Sequence, residues 1–189
     1  MLNDTDTYLV FEAKMLSDYP EDACRVFMIQ YFLSNKTIQI VEKKDDKKGI
    51  RGGRFLSRMT VKDPRTGENY DDDAFFVGNK IQAAGRIFDL VDAPEYTLCE
   101  MEAHSDRFKQ SDLQVAVQEL SDYCKSTQID LNAKFAEKDT RQSGQVSEAD
   151  AKYLLFSFTP TISKQACITV LRRFVENGRF NYSQLIQYL

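Results

Sequence analysis

The residues best spaced to hold an ion run from Asp139 to Asp150. Phe135-x-x-x-Asp139, followed by Gly144 and Val146, has the spacing of a calcium loop. In such a loop the sixth residue is a glycine that turns the chain sharply, and the eighth is apolar and pairs with a sister loop. Counted from Asp139 as the first position, Gly144 is the sixth and Val146 the eighth. Gly178 and Phe180 repeat the pattern, so two loops set back to back pair Val146 with Phe180. The donors are poor, however. Calcium wants roughly six to eight oxygens, several of them charged. The third position is Arg141, a fixed cation with no acceptor. Ser143 and Ser147 offer hydroxyls and Gln145 a backbone carbonyl, while Asp150 at the twelfth position is shorter than the usual bidentate Glu. In the second copy the first, third and twelfth positions are Arg173, Val175 and Gln184. A cation among the ligands repels a divalent ion by several kcal/mol. The expectation is a vestigial loop (Asp139, Ser143, Gln145, Asp150) that keeps its fold and holds no metal. No cofactor is expected, with calcium as the alternative.

Other chemistries find less support. His104 is the single histidine and lies in polar sequence. Cys24, Cys99, Cys124 and Cys167 are far apart, with no C-x-x-C pair, so a zinc cluster is not expected and reduced intracellular thiols are. Gly49 to Gly53 lacks the Gly-Lys-Ser/Thr ending of a phosphate loop. Asp71-Asp72-Asp73 reads as a solvated turn. No enzyme is expected. The net charge of −4 disfavours nucleic acid as a partner. Charge is uneven, though: Lys43, Lys44, Lys47, Lys48, Arg51, Arg54, Arg58, Lys62 and Arg65 are opposed only by Asp45, Asp46 and Asp63. Lys43, Lys44, Lys47, Lys48, Arg51 and Arg54 are the candidate partner-binding residues, suited to an acidic surface.

These groups must be positioned by two dissimilar halves. The 189 residues suffice for two small domains, and 13 Phe and 9 Tyr supply their cores. No run approaches the length of a membrane span, and the opening MLNDTDTYLVF has no basic region before a long apolar stretch, so neither a membrane nor a secretory signal is expected. Strands are predicted at Tyr8 to Met15, Arg25 to Leu33, Thr37 to Glu42, Arg54 to Val61, Phe75 to Val77, Lys80 to Ala83 and Arg86 to Val91. Ser34-Asn35-Lys36 is a hairpin turn, and Asp63 to Gly67 a second turn. A helix over Pro94 to Ala103, capped by Asp92, plugs this small antiparallel barrel. His104 to Gln110 is linker. The remainder is predicted all-α, with helices from Ser111 (a capping box with Gln114) to about Cys124, then Ile129 to Lys138, Ser147 to Phe156, Ser163 to Phe174 and Tyr182 to Leu189. Pro160 separates the two helices on either side of it.

Three stretches carry a resemblance: FMIQYFLSNKTIQIVE (27–42), GIRGGRFLSRMTV (49–61) and FFVGNKIQAAGRIFDLVDAPEYT (75–97). Their order resembles the DM-10 domain. With the paired loops behind it, the chain is similar to the C-terminal part of the EF-hand-domain-containing (myoclonin-type) family of ciliary ribbon proteins. That resemblance implies an α+β chain: a pleckstrin-homology-like antiparallel β-barrel with a C-terminal helix over 7–105, then a degenerate EF-hand pair over 111–189. It implies a structural microtubule inner protein of the cilium or flagellum. Such a protein binds tubulin on the luminal wall of axonemal doublets, beside other inner proteins. The alternative is a calcium-sensing adaptor of the axoneme. A relative that joins a DM-10 domain to a nucleoside diphosphate kinase has no counterpart segment here.

Overall fold

The computed structural model describes residues 7–189. The chain divides after Phe108 into two compact units.

The first unit is one curled antiparallel sheet followed by a helix. Its strands are β1 (Tyr8–Leu16), β2 (Phe27–Phe32), β3 (Thr37–Glu42), β4 (Gly53–Met59), β5 (Lys80–Ala83) and β6 (Arg86–Asp92), in the spatial order β4-β3-β2-β1-β6-β5. β1 is the shared strand, pairing with β2 on one side and β6 on the other. A register shift between Glu12 and Ala13 marks an irregularity where β1 meets β6, and such bulges add local twist. The alternation Leu9, Phe11, Ala13, Met15 points one face of β1 inward. Phe27, Phe55 and Phe88 meet edge-on at 5.1–5.5 Å between ring centres, while Tyr31 stacks on Phe75 at 3.8 Å. α1 (Glu95–Ala103) buries Thr97, Leu98 and Met101, and the Val10 amide donates to the Thr97 hydroxyl at 3.0 Å.

Three expectations change here. Phe75 to Val77 is not a strand. A 3-10 turn over Asp72–Ala74 swings Phe75 and Val77 into the core from a loop. The Asn79 side chain supplies the Ala74 carbonyl with its donor at 2.7 Å, in place of a ladder bond. Asp92 does not cap α1: it ends β6, its carboxylate accepts from the Ala93 amide, and Pro94 occupies the cap position without a side-chain bond. Nor is 104–110 a simple polar linker, since Phe108 is buried and Arg107 is tied back to Asp72.

The second unit packs α2 (Leu113–Thr127), α3 (Leu131–Ala136), α4 (Glu148–Phe156), α5 (Lys164–Phe174) and α6 (Tyr182–Ile186) around Phe135, Leu155, Phe158, Leu171, Phe174 and Phe180. It is not all-α. β7 (Gln145–Ser147), β8 (Val175–Glu176) and β9 (Arg179–Asn181) form a small sheet in the order β7-β9-β8. Strands of two or three residues are too short to leave an alternation in the sequence. The cap of α2 is Asp112, which accepts from the amides of Gln114 and Val115 at 2.7 and 3.0 Å. Ser111 instead lies buried in the preceding 3-10 turn. α2 runs on to Thr127, and α6 stops at Ile186. Ser147 and Ser163 cap α4 and α5.

Candidate functional site

The first candidate is the connection from β3 to β4. Asp45 and Ile50 exchange backbone hydrogen bonds, both at 2.9 Å. Inside that bridge Asp46–Lys48 forms a 3-10 turn that ends on Gly49 in the left-handed region. The Asp45 carboxylate accepts from the Lys47 amide at 3.1 Å. Gly52 has φ +66°, and a Cβ there would lie 2.7 Å from the Lys44 amide nitrogen and 2.8 Å from the Glu42 oxygen. Only glycine fits that approach. The hairpin is therefore shaped by its own backbone.

On this frame Lys43, Lys44, Lys47, Lys48, Arg51 and Arg54 are all exposed. Lys44 pairs with Asp46 at 3.0 Å and Lys48 with Asp45 at 3.5 Å, exposed contacts of little energy. Two cations of the same basic stretch have other duties. The Arg58 guanidinium lies 3.6 Å over the Phe32 ring and donates to the Thr37 hydroxyl. Arg65 clasps Asp63 at 2.7 Å and so closes a turn.

A second cluster was hidden in the acidic run. Asp72 is not a solvated residue. Its carboxylate accepts from the Tyr31 hydroxyl at 2.7 Å and from Arg107 at 2.8 Å. Burial, then the hydrogen bond to Asp72, pushes the Tyr31 phenol well above its ordinary range. Asp71, by contrast, is exposed and pairs with Lys36 at 2.8 Å. This cluster fastens β2 to the segment after α1.

The third candidate is the loop between α3 and α4. Val146 sits opposite Phe180, in the register the spacing predicts. Asp139 is buried, and its oxygens accept from Ser143 Oγ at 3.1 Å, the Gly144 amide at 2.7 Å and the Tyr182 hydroxyl at 3.1 Å. Burial raises the Asp139 pKa, but the amides of Ser143 and Gly144 and the hydroxyls of Tyr182 and Ser143 outweigh it and hold it at about 2. Asp150 accepts from Ser147 Oγ at 2.5 Å while its own amide donates back to that hydroxyl at 3.1 Å, so the twelfth position is bound to Ser147, the cap of α4. The Gln145 carbonyl accepts from the Arg179 guanidinium at 2.9 Å. Arg141, in the third position, is exposed. The second copy is no wide loop at all: Val175 pairs with Phe180 and Glu176 with Arg179 around a tight Asn177-Gly178 turn, both residues at positive φ.

The spacing thus anticipates the Val146–Phe180 pairing, but by itself it does not single out Asp72, Arg107, Arg179 or Tyr182. For Arg179 a signal existed: pairing Val146 with Phe180 already sets Arg179 opposite Ser147. His104 is exposed and keeps to its own helix, with Nδ1 3.1 Å from the Glu100 carbonyl. Among the described residues no three His, Cys, Asp or Glu side chains converge as a metal site, and no helix is long and apolar enough to cross a membrane.

A DM10 domain model matches residues 1–97. EF-hand domain-containing family member C2 of Bos taurus is 33% identical over 175 residues, which is 88% of this chain and 24% of the bovine protein. The Danio rerio protein of that name is 28% identical over 171 residues, 87% of this chain and 23% of its own length. EF-hand domain-containing protein 1 of Homo sapiens is 35% identical over 112 residues, 57% of this chain and 18% of the human protein. The chain thus spans about a quarter of the length of its C2 relatives, and those alignments run through both units.

Proposed function

The chain belongs to the DM10-domain family, and from that premise we propose that it is a structural microtubule inner protein of ciliary and flagellar axonemal doublets. In this reading the first unit is a pleckstrin-homology-like barrel closed by α1, and the second is a degenerate EF-hand pair. The protein catalyses nothing. It binds tubulin on the luminal wall beside other inner proteins, and neither nucleic acid nor a membrane is its partner. The observation that carries the reading is the preformed hairpin from Lys43 to Arg54, with six exposed cations on a backbone that needs no partner to shape it. Tubulin offers an acidic surface, and many weak ionic contacts repeated along a polymer give avidity where a single site would not. The names of the EF-hand domain-containing relatives support the assignment of the second unit.

The test is co-sedimentation of the full chain with microtubules across a salt series. Binding should weaken as salt rises. The variant K43E/K44E/K47E/K48E should bind markedly less and show a flatter salt dependence. Unchanged binding would remove this hairpin from the interface. Vesicles carrying phosphoinositides serve as the control, because a barrel of this shape with a basic loop could also meet an anionic headgroup. Binding to vesicles and not to microtubules would overturn the proposal.

A further inference from the structure

The donor set of the loop from Asp139 to Asp150 does not fit a divalent ion, and the same contacts show what stands in its place. In a calcium loop the seventh-position carbonyl faces the ion. Here that carbonyl, of Gln145, accepts from the guanidinium of Arg179 at 2.9 Å. Arg179 belongs to β9, across the small sheet, and is paired with Ser147. The first-position carboxylate, Asp139, accepts from the Tyr182 hydroxyl at 3.1 Å. Tyr182 opens α6, directly after β9, and its ring stacks on Phe135 at 5.4 Å with 14° between the planes. The Ser183 amide adds a bond to the Gly144 carbonyl at 3.2 Å.

We propose that Arg179 and Tyr182 form a built-in replacement for the ion. The guanidinium holds the carbonyl and the hydroxyl holds the carboxylate. Both arise from the sister element, so the fastening runs between the two loops and keeps the module in one shape whatever the calcium level. A calcium sensor must move when the ion leaves, whereas a fastener that is part of the chain cannot leave. This inference concerns the second unit alone and is independent of what the basic hairpin binds, so its failure would not touch the microtubule reading.

The experiment is amide hydrogen exchange on the full chain, read at residues 145–147 and 179–181, in millimolar calcium and in chelator. Wild-type protection should be the same in both. The variant R179M/Y182F should lose about tenfold in protection there, the effect expected from deleting hydrogen bonds to partly buried acceptors. A rise in wild-type protection with calcium would overturn the proposal, as would unchanged protection in the variant. Should the double variant not fold, R179M alone, which keeps the Tyr182 bond, and the wild-type comparison decide the matter.

Discussion

The basic hairpin of the first unit and the paired strands of the second treat their cations in opposite ways. Between β3 and β4 the backbone does the shaping, through the Asp45–Ile50 bridge and Gly52, and six cations are left at the surface. Between α3 and α6 the side chains do the shaping, and Arg179 is turned onto the Gln145 carbonyl while Tyr182 is turned onto Asp139. Charge that a fold uses to hold itself together is not available to a partner. Charge carried on a self-sufficient backbone is. On the proposed reading the first region serves recognition and the second rigidity.

Single substitutions test the two regions separately. The largest is Phe135→Ala. Phe135 is buried against Phe180 and Tyr182, so its truncation should destabilise the second unit by about 3–5 kcal/mol. Unit-resolved hydrogen exchange should show that loss beyond Lys109 and leave the sheet unit unchanged. Next is Asp72→Ala, which leaves the Tyr31 hydroxyl without its acceptor and releases Arg107. About 1–3 kcal/mol should be lost, this time from the first unit in denaturant unfolding. Gly52→Val forces a branched side chain into the left-handed region against the Lys44 backbone. It should cost about 1–3 kcal/mol of local strain and weaken microtubule binding with all six cations still present. Full binding by that variant would show that the charges matter without the frame.

Asp139 gives a pH signature. Its folded pKa, about 2, lies below its ordinary 3.8, so its carboxylate stabilises the fold above 3.8 and that contribution is lost as pH falls toward 2. Asp139→Asn should remove this part of the acid dependence from the second unit, as followed by unfolding at a series of pH values. The smallest effect on stability belongs to the hairpin. Each of the four Lys→Glu changes should alter stability by no more than about 0.5 kcal/mol, although together they should deplete binding.

Much of this was legible in the chain. TIQIVE alternates from Thr37 to Ile40 after the Ser34-Asn35-Lys36 turn, and β3 has the bounds that the stretch predicts, Thr37 to Glu42. The spacing of Gly144 and Gly178 fixed the Val146–Phe180 register. Phe75 to Val77 also alternates between buried and half-buried, but from a loop, because a 3-10 turn and the Asn79 side chain replace the ladder. The spacing points to Ser111 as the cap of α2, yet the adjacent Asp112 takes that place, because Ser111 is drawn into the preceding 3-10 turn. Asp72 and Arg107 lie 35 positions apart and Asp139 and Tyr182 lie 43 apart. No local pattern brings such pairs together.

The most direct measurement of the contrast is hydrogen exchange on the full chain with and without microtubules. The hairpin from 43 to 54 should gain protection on binding, while residues 139–147 and 175–181 should keep the protection they already have. Protection gained at the paired loops with none at the hairpin would reverse the assignment of the two regions.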